Sequence, residues 1–232
     1  MPKQDSTKII SAKDLGQLSL KDFCPRCFWL ERHLGKSPSK FPGIFNTLDS
    51  ITKKSTKRSF LERGRHPEWL PINNIKKHIK VSRLSIPVIE HGNWILTGDP
   101  DDVFELNDGS YHVVDYKTAR FTGTQDSLLP MYEAQLNAYA YALLSQGIKP
   151  ISRLSLIYCE PNENLDTDQE FRLGFTTNPL DIKLNSEMIP DLLRKARKIL
   201  DNEIPPESRL GCEDICYWVE KANTKINKKL GD

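Results

Sequence analysis

The spacing of apolar positions divides the chain into a helical first third, a β-rich middle interrupted by one helix, and a final helix followed by a short tail. In the first third, "LKDFCPRCFWLERHLG" (Leu20 to Gly35) has a helical pattern, with Ser19 as an N-cap and Asp22 three positions on. Beyond the breaks at Pro38 and Pro42, "GIFNTLDSITKKSTKRSFLER" (Gly43 to Arg63) predicts a second helix, and the helical reading reaches about Trp69. In the middle, "WILTGDPDDVFEL", "SYHVVDYK" and "RLSLIYCEP" are rich in β-branched and aromatic residues and bounded by Gly, Pro, Asn and Asp, which predicts strands. "EFRLGFTT" adds a further strand.

Between the second and third strands lies "LLPMYEAQLNAYAYALLSQG", where Leu136, Tyr139, Ala140, Leu143 and Leu144 keep a helical period and Gly147 supplies the stop. The last helix is "SEMIPDLLRKARKILDN", ahead of Pro205 and Pro206. Strand, strand, helix, strand is the order of an α/β (α+β) core in which an antiparallel hairpin feeds a crossover. One domain is expected, with a helical, basic N-terminal lobe over about 19–85, a core over about 86–204 and a cysteine-containing tail over about 205–232. The sequence carries no internal repeat and no low-complexity segment.

Composition limits what this core can do. The 232 residues are 38% hydrophobic, enough for a real core. Lys and Arg total 33 against 31 Asp and Glu, so a basic surface has to come from segregation of charge rather than excess. The opening residues contain no apolar targeting segment and no stretch is apolar enough for a membrane span, so a cytoplasmic protein without membrane contact is expected. Five cysteines, an odd number, argue against a disulfide framework and for thiols or metal ligands.

The candidate chemistry sits at the end of the second strand, in Asp115-Tyr116-Lys117. D-x-K is short enough to arise by chance, and Asp181-Ile182-Lys183 repeats it after the turn-like "TTNPL", where it reads as a loop or helix start. Asp115 differs because the "NDG" turn, Asn107 to Gly109, brings an acidic strand back beside it. A three-residue loop with Gly109 in the left-handed region pairs Leu106 with Ser110 and sets Asp101 opposite Asp115, whereas a two-residue loop would set Asp102 there. The first register also pairs Val103 with Val113 beneath the acids and is preferred.

Two carboxylates a few ångströms apart repel unless a cation lies between them, and hard oxygen ligands suit Mg²⁺ or Mn²⁺. Such an ion polarises a phosphodiester and acidifies an attacking water, and Lys117, on the same face as Asp115, would steady the charge that develops. The competing reading of the same residues is a salt-bridged, solvated strand end. Gln135 and Tyr139, four apart on the following helix, share one face and suit contact with a phosphate or with the lysine.

Together "GDPDDVF", "VVDYKTAR" and "QLNAYAYAL" resemble the motifs of the PD-(D/E)XK nuclease superfamily, in particular RecB-like nuclease domains and CRISPR adaptation nucleases. The family order G-x-x-D, hydrophobic strand ending in D-x-K, then a helix with Q-x-x-x-Y matches Gly98 to Asp101, Asp115 to Lys117, and Gln135 to Tyr139. The resemblance implies a restriction-endonuclease-like fold, a central mixed sheet flanked by helices. It also implies a divalent-metal-dependent DNA nuclease, an exonuclease among its forms, serving DNA repair, recombination or CRISPR adaptation beside helicase, repair or CRISPR adaptation proteins. Asp101 and Asp115 would be metal ligands, the Tyr116 carbonyl a third, Lys117 the catalytic lysine, and Gln135 and Tyr139 DNA-contacting or lysine-orienting. Where the family has a histidine or glutamate on the helix before the core, "GIFNTLDSI" offers Asn46 and Asp49. Either Asp49 substitutes as an indirect metal ligand, or the chain is a weak or inactive nuclease-fold module for DNA binding or scaffolding.

"LSLKDFCPRCFWL" also resembles the segment in which such nucleases place the first ligand of an iron–sulfur cluster, a role for Cys24, with Cys27, Cys212 and Cys216 completing a set of four. Four thiolates bind either such a cluster or a structural Zn²⁺, and an interaction module built around them is a third class of function. The alternative is that Cys24 and Cys27 are small buried hydrophobes, as Cys159 is expected to be within its strand. Basic runs at Lys53 to Arg58, Arg63 to His66 and Lys76 to Lys80 read as solvated faces or as the wall of a nucleic-acid groove, extended by "RKARK" and "KINKK".

Overall fold

A computed structural model of the chain describes residues 8–35, 43–162 and 173–230, the side chains of 227–230 excepted. The expected breaks at Pro38 and Pro42 and the first residues of "EFRLGFTT" lie outside the described residues. In chain order the elements are β1 (Ile9–Ser11), α1 (Ala12–Gly16), α2 (Pro25–Leu34), α3 (Gly43–Arg63), β2 (Ile75–Ile79), β3 (Leu84–Val88), β4 (Trp94–Gly98), β5 (Asp102–Leu106), β6 (Tyr111–Lys117), α4 (Leu129–Ser145), β7 (Ile151–Asn162), β8 (Gly174–Ile182), α5 (Met188–Leu200) and α6 (Ile215–Leu230).

Five strands form a mixed sheet in the order β2-β5-β6-β7-β8, and β1-β4-β3 form a second, smaller sheet. β6 and β7 are parallel, joined by α4 as the crossover, while β5 and β6 form the antiparallel hairpin. The hairpin has the expected register: Val103 pairs with Val113, the Leu106 N–H donates to the Ser110 carbonyl at 2.8 Å, and Gly109 has φ +82°. Gly109 can take that left-handed conformation without a Cβ clash, which fixes the loop at three residues and the register with it.

One face of the large sheet, with Val103, Val113, Leu154 and Leu156, packs with α4, α5 and the small sheet around Leu136, Leu143, Leu193 and Trp94. The α4 helix is buried on most sides, as its continuous apolar and small residues require. The other face, with Phe104, Val114, Tyr116, Ile157 and Cys159, lies with Leu70, Ile72 and Phe60 of α3 in a second cluster. Cys159 is a core residue. No helix among the described residues is long and apolar enough to cross a membrane.

Four local expectations are corrected. Ser19 ends a short 3-10 turn rather than capping a helix; Cys24 is the N-cap of α2, because Pro25, which lacks an N–H, fits the first helical position. The stretch expected to be helical to about residue 85 contains β2 and the start of β3; the lysines of β2 are tolerated because it is an edge strand paired only with β5. "WILTGDPDDVFEL" is two strands, β4 and β5, in different sheets. Asp181 and Ile182 close β8 rather than opening a loop or helix, and Pro179 is accommodated there because β8 is the other edge.

Candidate active site and cysteine cluster

Strand β6 ends where the pleat separates its last three side chains. Tyr116 turns toward α3, where its hydroxyl donates to Asp102 Oδ2 at 2.6 Å and lies 3.2 Å from Thr56 Oγ1. Asp102 is tied on that side a second time, by His78 Nε2 at 2.6 Å. Asp115 and Lys117 project the other way, toward α4.

Asp101 lies one step beyond the last pair of the β5–β6 ladder, on the Asp115 side, and its Oδ2 accepts the Tyr116 N–H at 2.7 Å. The register therefore brings Asp101 to Asp115 and carries Asp102 away from it. Burial first, and then the charge of Asp115, push the Asp101 carboxyl up to about 7, against the opposing effect of Lys53 and the Tyr116 N–H. Asp115 is only 3% exposed, and its Oδ2 accepts no hydrogen bond of good geometry; the Lys117 ammonium, 2.5 Å away, balances it.

Lys117 is held from three sides. Besides Asp115, its Nζ donates to Gln135 Oε1 at 3.4 Å and lies 4.2 Å from the centre of the Tyr132 ring. Gln135 is oriented in turn by donating from Nε2 to the Tyr139 hydroxyl at 2.7 Å. Burial, reinforced by the charge of Asp115, raises the Tyr139 phenol well above its ordinary range, so it stays protonated.

Helix α3 closes the remaining side of the cleft. Lys53 Nζ is 2.7 Å from Asp101 Oδ1 and 2.8 Å from Asp49 Oδ2, one turn earlier on the helix. Burial works against the Lys53 ammonium, but the charges and hydrogen bonds of Asp101 and Asp49 outweigh it and raise its pKa. Asn46 and Asp49 both line the cleft that Asp101, Asp115, Lys117, Gln135 and Tyr139 share. Lys53 and Tyr132 join this set without having been expected in it. The i,i+4 spacing of Asp49 and Lys53 was the available signal for the first.

Buried acids at the end of a hairpin, a lysine two residues on, and a Gln–Tyr pair on the crossover helix are accompanied by a match of residues 46–220 to the family model of the PD-(D/E)XK nuclease superfamily. The chain belongs to that superfamily. No curated protein matches it significantly in sequence. Among solved structures, SSO0001 is similar with a TM-score of 0.49 and 14% identity, over 89% of this chain and 82% of its own. The alkaline exonuclease LHK-Exo of Laribacter hongkongensis gives 0.45 and 11%, over 96% of each chain. A phage-related exonuclease from Haemophilus somnus 129PT gives 0.41 and 13%, over 76% of this chain and 79% of its own.

This member of the PD-(D/E)XK superfamily has a second cluster of reactive side chains at the N-terminal end of α2. Cys24 and Cys27 at the start of α2 meet Cys212 and Cys216 at the start of α6, with all four sulfurs within 4.8 Å of one another. Cys27 Sγ is 3.2 Å from Cys216 Sγ and 3.5 Å from Cys212 Sγ, and Cys24 Sγ is 3.7 Å from Cys216 Sγ. Burial raises the Cys27 thiol and takes Cys216 up to about 11. Burial acts the same way on Cys24, but the Arg209 and Cys27 N–H groups and the neighbouring thiols outweigh it and bring that thiol down to about 7. Four converging sulfurs, one of them favoured as thiolate, form a donor set that fits a metal centre.

Proposed function

We propose that the protein is a Mg²⁺- or Mn²⁺-dependent deoxyribonuclease that hydrolyses phosphodiester bonds at the Asp101–Asp115–Lys117 cleft. The observation that carries this reading is the approach of Asp101 to Asp115 in a buried site, where burial and the charge of Asp115 raise the cost of charging Asp101. Their buried carboxylate oxygens form a hard donor set, so the residues fit a small divalent cation, with the Lys117 ammonium beside Asp115 Oδ2 at 2.5 Å. Bound there, the ion would polarise the phosphate and lower the pKa of an attacking water.

Asp101 and Asp115 would hold that ion, with the Tyr116 carbonyl as a third ligand and Asp49 acting indirectly from α3. Lys117, held in place by Gln135 and Tyr132, would face the negative charge that grows on the phosphate. Gln135 and Tyr139 would orient Lys117 or touch the substrate backbone. The biological setting we favour is DNA repair, recombination or CRISPR adaptation.

The spacing of the cysteine sulfurs supports one structural zinc ion in preference to an iron–sulfur cluster. At a Zn–S distance of about 2.3 Å, tetrahedral sulfurs lie about 3.8 Å apart. Three of the sulfur pairs, at 3.2 to 3.7 Å, are near that value and all four sulfurs lie within 4.8 Å, whereas a multi-iron core would hold some of them further apart.

A second reading, a catalytically silent DNA-binding module, is favoured by Asn46 on α3, where the family has a histidine or glutamate, and by the Lys53 ammonium on Asp101. One experiment separates the two: incubation of single- and double-stranded DNA with the purified protein and Mn²⁺. Cleavage is expected, and Asp115→Ala and Lys117→Ala should each abolish it. Cutting that survives both changes refutes the site. Salt-dependent binding without cleavage, indifferent to divalent ions, supports the second reading.

A further inference from the structure

A groove leads away from the acidic cleft along the edge of the large sheet, between the C-terminal half of α3 and the edge strand β2. Asp101 and Asp102 stand at one end; Lys53 and Lys57 of α3 and Lys76, Lys77 and Lys80 of the β2 segment line it. The two basic runs are separate in sequence and meet because β2 takes the edge position beside β5.

Charge bookkeeping within the groove leaves three of these lysines for a ligand. Lys53 is bound to Asp101 and Asp49, and Lys76 to Glu105 at 2.5 Å. Lys57, Lys77 and Lys80 are exposed and form no ion pair among the described residues. The two acids at the head of the groove are themselves occupied, Asp102 by Tyr116 and His78 and Asp101 by Lys53. The groove therefore carries an excess of positive charge, in Lys57, Lys77 and Lys80.

The groove also offers an aromatic surface. Phe60 and His78, both half-buried, line it as a stacked pair, with ring centres 5.4 Å apart and planes 17° from parallel. Phosphate-binding lysines interleaved with flat rings are the combination that holds an unpaired strand, because unpaired bases can stack while the backbone follows the charge. A duplex presents phosphates but keeps its bases paired and cannot use the rings.

We propose that this groove binds one single strand of DNA, with Lys57, Lys77 and Lys80 on its phosphates and the Phe60–His78 pair against its bases, and guides it to the Asp101–Asp115 cleft. The proposal rests on the nuclease reading for the identity of the cleft but makes its own claim about binding. It assigns a job to lysines that play no part in the chemistry.

The test uses the full chain with Lys57, Lys77 and Lys80 all changed to Ala, and the wild type beside it. Binding of a fluorescein-labelled oligothymidylate is measured by anisotropy in EDTA at several salt concentrations, with a DNA hairpin as duplex control. Hydrolysis of bis(p-nitrophenyl) phosphate with Mn²⁺ reports on the cleft alone, and thermal unfolding confirms that the variant folds. Weaker single-strand binding is expected, with the slope of log K against log salt shallower by about 2, near 0.7 per lysine. Small-diester hydrolysis and the unfolding midpoint should be unchanged. An unchanged single-strand slope overturns the proposal, as does a loss confined to the hairpin. If the wild type fails to cleave the small diester while the strand-binding result holds, the nuclease reading falls and the groove stands.

Discussion

The ring of Tyr139 occupies the space that a Cβ on Gly98 would need: that atom would lie 2.5 Å from Cε1 and 2.8 Å from Cδ1. The contact joins the glycine of G-x-x-D to the tyrosine of Q-x-x-x-Y, and Tyr139 in turn holds Gln135, which holds Lys117. Gly98→Ala should therefore push the ring aside, lower stability by about 1 to 3 kcal/mol, and reduce cleavage through misplacement of Lys117. In a Tyr139→Ala background the same change should cost almost nothing further. Urea denaturation of the four proteins of this cycle is the measurement, and simple additivity would disprove the contact's importance.

Lys53 places a tethered ammonium on Asp101, one of the two carboxylates proposed to hold a divalent ion. Replacing it by Met removes a competing cation while keeping the length of the side chain. Because Lys53 is 38% exposed, solvent screens the pair, and the expected gain in Mn²⁺ affinity is modest, about fivefold or about 1 kcal/mol. Calorimetric titration of Lys53→Met with Mn²⁺ measures it. Weaker binding would mean that Lys53 supports the site by fixing Asp101 rather than competing for it.

These two contacts also mark how far the sequence could be read. The hairpin, its register and the Asp101–Asp115 opposition were legible because Gly109 suits the left-handed position that closes a three-residue loop, and that loop determines every pair above it. The crossover helix was legible from its period. Strand β1 was not, since its three residues are strand only through pairing with β4, which is remote in sequence. Nor was β2, whose lysines look the same on a solvated helix as on a charged sheet edge. The split of "WILTGDPDDVFEL" between sheets depends on partners that no local pattern contains. Lys53 was hidden for the same reason: in a run of basic residues, only the fold says which one reaches an acid.

The cysteine cluster ties α6 to the body of the protein. Many of the described side chains of α6 are exposed, and its other links to α2 include the half-exposed Arg26–Glu220 pair at 3.8 Å. Elemental analysis of anaerobically purified protein should give one zinc per chain and no iron, and the solution should be colourless. Cys27→Ser or strong chelation should release the ion and expose the 203–214 segment to trypsin. Brown protein containing several iron atoms per chain would overturn the assignment to zinc.

His112 provides a test by pH. It lies 1% exposed in β6, beside Ser155 Oγ at 2.8 Å; Ser155 spends its only proton on Asp181 Oδ1 at 2.7 Å, so His112 must donate from Nε2. Its Nδ1 is buried without a partner, and protonation there would place a charge in the sheet interior. Burial, then Arg153, take the imidazole from its ordinary 6.5 down to about 4, with Asp181 opposing them. The folded chain thus excludes a proton that the unfolded chain binds. The stabilisation is complete above pH 6.5 and is lost as the pH falls from there through 4. At about pH 5 the loss relative to neutral pH is about 2 kcal/mol. Urea midpoints of the wild type and of His112→Gln across this range measure it: the substitution should remove this part of the acid sensitivity, and identical pH profiles would show that His112 already carries its charge in the folded protein.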